Sequence, residues 1–339
     1  MHDTVTRSDD DDGTPVGALA TGRLATVDVR GALRASDALG AAALDWRVYA
    51  GGRWIDPATD AAVRHTRPRA APVPRTAVRV PGGDAVQRVY ATAAAGGVLV
   101  VEVENASPEA IAVAIRLTGA DPARMLHPSR PVGATEDDGA WAFPVPHRTT
   151  LRVAVTAEPV DVRSLDDADT VMRAWERVLE RGMRVELPEP LRRDVDAARA
   201  DALLAPPSAG AFAALEDWGF DDAAAAMWDR LDGRSRRAVR RHRADSGLLG
   251  AVRSRLLAED GEVLDLLPGF DRAWLGAPLA VHDAPVRGGC VSFAVRWHGA
   301  RPALLWDVPE GRTLRASVID PGWSATESRG EALLAAPTL

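Results

Sequence analysis

The hydrophobic period of this chain changes twice. Apolar residues recur at every second position up to about residue 163. From about 164 to 260 they recur at every third or fourth position, and after 261 the period returns to two. A period of two describes a strand with one buried face, and a period near 3.6 describes a helix with one buried stripe. The order strand-rich, helical, strand-rich therefore constrains the chain before any motif is considered. Its 339 residues, 46% of them hydrophobic, suffice for more than one core. At roughly 150 residues per domain, length alone points to about two domains.

In LDWRVYA, Leu44, Trp46, Val48 and Ala50 alternate with Asp45, Arg47 and Tyr49. In VLVVEVENASPEAIAVAIRL one arm sets Leu99, Val101 and Val103 against Glu102 and Glu104. The other arm sets Ile111, Val113, Ile115 and Leu117 on one face, and Asn105, Ser107 and Pro108 form the turn between them. Short alternating runs with Gly/Pro punctuation predict an N-terminal antiparallel β-sandwich over 14–163. Within 164–260, Ser164 or Asp166 can cap a first helix through Val171, Trp175 and Leu179. A second helix runs from Asp194 to Leu204. Ser208 caps a third that stops at Gly219, and Asp221 caps a fourth that stops at Asp232–Gly233. These are short αα-hairpin elements. A C-terminal antiparallel β-sandwich is expected over 261–339, so the fold class is α+β and multi-domain. Residues 1–13, with Asp9 to Asp12 in succession, read as a disordered acidic tail because like charges repel and nothing there can be buried.

The stretch VSFAVRWHGARPALLWD offers two tryptophans, two arginines and a histidine. Val291, Phe293, Val295 and Trp297 share one face, as do Leu304, Trp306 and Val308. A four-residue turn over Gly299–Pro302 would set His298 opposite Ala303 and Trp297 opposite Leu304. All the rings then fall on one side, because a one-residue slip would reverse every side chain. The tryptophans are thus expected in a core. Arg296 and His298 on the opposite face are the candidate ligand contacts, with an exposed ion pair to Asp307 as the plainer role.

The search for chemistry is mostly negative. Seven histidines include no HxH or HExxH pair, so no metal site is expected, and no phosphate-binding or dinucleotide-binding glycine motif supplies a cofactor site. Cys290 begins an apolar alternating run and is expected to be buried. The net charge of −7 argues against nucleic acid as a partner. RSRRAVRRHR, residues 234–243, reads as a solvated helix with acidic neighbours. Glu136, Asp137 and Asp138 before Gly139 read as a solvent-facing turn. No window of 18 uninterrupted apolar residues occurs, so no membrane partner and a cytoplasmic location are expected. Glu216 and Asp217 before Trp218, with Asp221 and Asp222 after it, place an aromatic ring among carboxylates, the composition of a sugar subsite. Glycoside hydrolysis needs two carboxyl groups facing each other across the scissile bond. Glu216, Asp217 and Asp222 are the candidate catalytic residues and Trp218 a candidate ligand contact. Structural roles compete: aspartates favour helix N-termini, and Trp218 sits where two helices would bury it.

Three stretches carry a resemblance. AVRVPGGDAVQRVYA with VVEVENASPEAIAVAI resembles the N-terminal β-sandwich of six-hairpin, glucoamylase-like glycosidases. ERGMRVELPEPLRRDVDAARADALL resembles the linker and first helix of the barrel in that family. LLPGFDRAWLGAPLAVHDAPVRGGCVSFAVRWHGARPALLWD resembles its C-terminal β-module. A complete barrel takes twelve helices. The roughly 100 residues here hold four or five short ones, so no catalytic residue of the family transfers. The resemblance implies a noncatalytic or degenerate glycosidase-like protein with a carbohydrate-related binding or scaffolding role. Two alternatives are an active glycoside hydrolase using carboxylates between the helical and β regions, and a protein-interaction module using the arginine-rich helix.

Overall fold

The computed structural model describes residues 13–36, 39–130, 132–133, 139–241 and 244–337. The acidic tail through Asp12, the Glu136–Asp138 turn and His242 lie outside the described residues. The chain divides into two compact units, residues 1–175 and 176–339. Both mix strands with helix, and among the described residues every strand pairing but one is antiparallel.

The first unit holds two sheets. The seven-stranded sheet runs in the order Thr14–Ala18, Gly22–Val27, Leu33–Ala35, Ala43–Ala50, Ile111–Thr118, Trp141–Val145, with Arg53–Ile55 also paired to Ala43–Ala50. The six-stranded sheet runs Leu126–Pro128, Thr150–Val155, Val98–Asn105, Gly83–Thr92, Arg75–Val80, Val63–Thr66. Alternation decides what is buried. Leu44, Trp46 and Val48 from one sheet and Leu99, Val101, Val103 and Val153 from the other belong to a single hydrophobic cluster.

The two arms of VLVVEVENASPEAIAVAIRL are strands, as their alternation predicts, but they do not pair with each other. Val98–Asn105 pairs with Gly83–Thr92 and Thr150–Val155, while Ile111–Thr118 pairs with Ala43–Ala50 and Trp141–Val145. The connection therefore passes from one sheet to the other. Asn105, fully buried, makes the crossing possible. Its Nδ2 donates to the Glu109 and Val145 carbonyls, and its Oδ1 accepts from the Ser107 amide and hydroxyl. A local hairpin would have satisfied these backbone groups with a ladder; here one amide side chain does so.

Glu102, on the strand face opposite Val101 and Val103, is nonetheless buried. It is 4% exposed. Arg152 Nη2 lies 2.7 Å from its Oε1, and the Tyr90 hydroxyl donates to the same oxygen at 2.7 Å. The Tyr90 oxygen lies 3.0 Å from the Asp166 carbonyl, and Arg152 Nη1 donates to the Leu165 carbonyl. Segment 165–166 is thus fastened over the outer face of the six-stranded sheet. Burial, then the Glu102 charge, hold the Tyr90 phenol protonated far above its usual range.

In the second unit, helices Leu191–Leu204, Ala209–Asp217, Asp221–Arg230, Gly233–Arg240 and Gly247–Leu256 accompany two sheets. The Ser208 side chain accepts from the Ala211 amide and Gly219 takes φ +72°, so the third helix starts and stops where its sequence signals stand. Two caps shift by one residue or more. Asp167, rather than Ser164 or Asp166, receives the Thr170 amide ahead of Ala168–Leu179. Asp232, expected as a helix stop, also caps the next helix, Gly233–Arg240. Asp221 lies in the first helical turn, with Phe220 as the N-cap. Arg184–Glu186, within the stretch read as helical, pairs with Leu279–Val286 and so belongs to a sheet.

The strands Gly289–His298 and Arg301–Asp307 pair with the expected face but a different register. His298 opposes Arg301, Val295 opposes Leu304, and Phe293 opposes Trp306. The loop has two residues instead of four. Pro302 sits within the strand, where its carbonyl accepts from Leu334. Both loop lengths are even, so the apolar face is preserved although every partner moves by two. Val291, Phe293, Val295, Leu304 and Trp306 are buried. Cys290 corrects the burial expectation: it is exposed, one residue before the buried run begins.

Candidate functional site

The seven-stranded sheet carries a cleft of about 380 Å³. Its wall is built by two local turns. In the first, Asp28 Oδ1 accepts the Arg30 and Ala32 amides, and Gly31 occupies φ +83°. A Cβ at Gly31 would fall 2.4 Å from Gln87 Oε1 and 2.8 Å from Trp46 Nε1, so only glycine fits this approach. Trp46, nearly buried, donates its indole N–H to the Arg30 carbonyl and pins the turn to the sheet. In the second turn, Asp56 Oδ1 accepts the Ala58 amide. Arg30 Nη1 joins the two turns by donating to the Asp60 carbonyl at 2.6 Å.

The floor follows from register. Arg34 opposes Ala43, Asp45 opposes Arg116, Arg47 opposes Ala114, and Ala114 opposes Ala142. Alternation places these side chains on the face away from the core. Alanines at 114 and 142 leave room where long arginines stand beside them. Arg116 pairs with Asp45 at 3.1 Å. Arg34 is exposed at the rim and Arg30 half-buried in the wall.

The same face continues to an aromatic pair. Ala50 opposes Arg53 across a two-residue loop, and Gly51 and Gly52 take φ +57° and +79°. Positive φ at both central residues matches the twist of the flanking strands, which explains Gly-Gly at this hairpin. The hairpin sets Tyr49 directly opposite Trp54. Their ring centroids are 5.3 Å apart in a T-shaped arrangement, and the residues are 41% and 36% exposed. The Arg47 guanidinium, which lines the cleft, stands 5.7 Å from the Trp54 ring centroid and links the two features. The arrangement combines open aromatic surface with directional hydrogen-bond donors and acceptors. Such a surface binds polar ligands that also have apolar patches.

The residues singled out from sequence lie elsewhere, in the second unit. Trp218 is fully buried, donates to the Leu249 carbonyl and lies under the Arg199 guanidinium, so no ring face is open. Glu216 and Asp222 are exposed, the one near a helix end and the other in a helical first turn. Asp217 is half-buried. Burial raises its carboxyl above the usual range, opposed by Arg253 and by a 3.4 Å contact with the Ser246 hydroxyl. Arg296 pairs with Glu186 rather than Asp307, which pairs with Arg329. His298 is exposed beside the two-residue loop. None of these six residues lines the 380 Å³ cleft or the open cavity of about 420 Å³ bounded by His127, Ser129, Asp161 and Arg163. Among the described residues no cluster of three or more His, Cys, Asp or Glu could hold a metal ion.

The arginine-rich run forms the helix Gly233–Arg240 with an aromatic partner that its own sequence does not contain. Arg236 and Arg240 lie 5.5 and 5.7 Å from the ring of Trp228, in the preceding helix. Among the described residues no helix is long and apolar enough to cross a membrane.

No protein-family model, curated protein or solved structure matches this chain.

Proposed function

We propose that this is a noncatalytic carbohydrate-binding protein, with the face bearing Tyr49, Trp54 and the arginine-lined cleft as its binding surface. The single observation that carries the reading is the open Tyr49–Trp54 pair continuous, through Arg47, with a polar cleft. A sugar ring has apolar C–H faces and a polar rim, so it asks for both surfaces at once. Aromatic residues supply large contact area at small conformational cost, and planar arginine and aspartate groups fix orientation.

The two sheets that share one hydrophobic cluster are read as a β-sandwich, with the site on the outer face of one of them. The six-hairpin, glucoamylase-like relationship belongs to this proposal too. It is supported by the succession of strands, helices from residue 168 to 256, and strands again. A hydrolase centred on Glu216, Asp217 and Asp222 is the weaker alternative, because those carboxyls line neither cleft described above.

A glycan array probed with the intact protein tests the reading. Retention on a subset of oligosaccharides, lost in Trp54→Ala, is the expected result. Equal retention by the wild type and Trp54→Ala, or retention of neither, would remove the proposal.

A further inference from the structure

We propose that two copies of this chain associate through one open sheet edge in the second unit. Strand Arg329–Leu333 pairs antiparallel with the same strand of the second copy, across a two-fold axis at Gly330. The inference goes beyond the carbohydrate reading and does not rest on it.

The first argument is which edge is open. A strand that ends a sheet presents unpaired N–H and C=O groups, and a proline blunts such an edge by removing a donor. Among the described residues, eight strands end the four sheets. Four of them contain a proline, at 15, 128, 144 and 321. Of the other four, Arg329–Leu333 is the longest, at five residues. It ends the five-stranded sheet and pairs on one side with Arg301–Asp307. The Val308 amide donates to the Ser328 carbonyl, and the Leu334 amide to the Pro302 carbonyl. Even-numbered positions therefore turn their backbone groups to Arg301–Asp307, and odd-numbered positions turn theirs to the open edge. The Leu333 carbonyl accepts from Arg301. The backbone N–H and C=O groups of Arg329 and Glu331 have no partner among the described residues, and both residues are exposed.

The second argument is charge in register. Arg329 opposes Asp307 and Glu331 opposes Leu305, so both charged side chains stand on the sheet face that carries Asp307. A two-fold axis at Gly330 sets Arg329 opposite Glu331 of the partner subunit, and Glu331 opposite Arg329 of the partner subunit. Each such pair exchanges two backbone hydrogen bonds, and each sets opposite charges side by side, the arrangement that stabilises cross-strand neighbours. Moving the axis to Arg329 or to Glu331 puts two like charges opposite each other instead. Charge therefore selects one register of self-pairing. Arg329 Nη2 holds Asp307 at 2.5 Å, and the remaining guanidinium donors stay available to a second carboxylate. Glu331 has no ion pair among the described residues.

A contact of five residues a side is small, so the dimer is expected to be weak, half-formed at about 10–100 µM protein. Sedimentation velocity of the intact protein across that range tests this. The expected result is a monomer that becomes a dimer as concentration rises. Glu331→Arg alone and Arg329→Glu alone should each weaken association about tenfold or more, because each sets like charges opposite across the axis. Mixing the two variants should restore association, because every facing pair is then opposite in charge. Mixing also separates a lost contact from a lost fold, since a misfolded variant has no strand to offer. A protein that stays monomeric throughout the range would overturn the inference. So would a dimer that neither substitution weakens, or two weakened variants that fail to associate on mixing.

Discussion

Tyr49 and Trp54 face each other across a Gly-Gly hairpin, and Arg47, two residues from Tyr49 on the same strand face, stands over the Trp54 ring. The three side chains are held by strand register and a two-residue turn, not by a long loop. The surface is therefore already formed before any ligand arrives, which limits the ordering cost of binding.

Removing Trp54 should weaken ligand binding while the protein stays folded. Trp54→Ala is expected to weaken oligosaccharide binding tenfold or more. It should cost about 1–3 kcal/mol of unfolding free energy, because the ring is only 36% exposed and packs on Tyr49 and Arg47, yet leave the protein folded. Calorimetric titration and urea denaturation on one preparation measure both.

Trp218 should behave in the opposite way. It is fully buried, with its N–H on the Leu249 carbonyl. Trp218→Ala is expected to cost about 3–5 kcal/mol of stability through the cavity it leaves. At temperatures where the variant remains folded, its affinity for a sugar should equal that of the wild type. A selective loss of binding would return Trp218 to the list of ligand contacts.

The contrast shows what the sequence could reveal. Alternation in LDWRVYA and VSFAVRWHGARPALLWD identified the buried faces, since Leu44, Trp46, Val48, Phe293, Val295 and Trp306 are all in cores. The helical caps at Ser208 and Gly219 were also local and legible. Partnering was not. The run of Asn105, Ser107 and Pro108 looks like a hairpin turn, yet the side chain of Asn105 redirects the chain into the other sheet. The aromatic pair is not legible locally because Tyr49 and Trp54 are brought together by register across Gly51–Gly52. A Gly-Gly pair directly after an alternating strand is the available signal. The cleft draws on residues from 28 to 140, and no local pattern announces such a gathering.

Glu102 and Arg152 form a buried ion pair to which Tyr90 adds a hydrogen bond. Glu102→Ala leaves Arg152 uncompensated and is expected to cost about 3 kcal/mol, since removing one partner is worse than removing both. Tyr90→Phe should cost about 1 kcal/mol, the worth of one hydrogen bond. Urea midpoints at constant slope test both, and a Glu102→Ala variant as stable as the wild type would contradict the first.

His65 should make stability pH-dependent. Its Nδ1 lies 3.0 Å from the Thr76 hydroxyl and its Nε2 3.4 Å from that of Thr14. Burial lowers its pKa below 6.5, with the Asp28 charge opposing. Between the lowered folded value and 6.5 the unfolded chain binds more protons, so stability falls as pH drops through that window. The neutral imidazole's contribution is fully present above 6.5. His65→Gln should flatten this part of the profile while leaving the carboxylate-dependent region at lower pH. Unfolding free energies from pH 7.5 downward, wild type against variant, isolate the histidine.

The most direct test of the central claim is an amide and indole resonance map of the intact protein titrated with a glycan retained on the array. The account predicts shifts concentrated at Arg34, Asp45–Tyr49, Trp54 and Ala114–Arg116, with the Trp54 indole N–H moving and the Trp218 indole N–H still. Shifts gathered instead at 216–222 or 296–298, with residues 45–54 unperturbed, would contradict it.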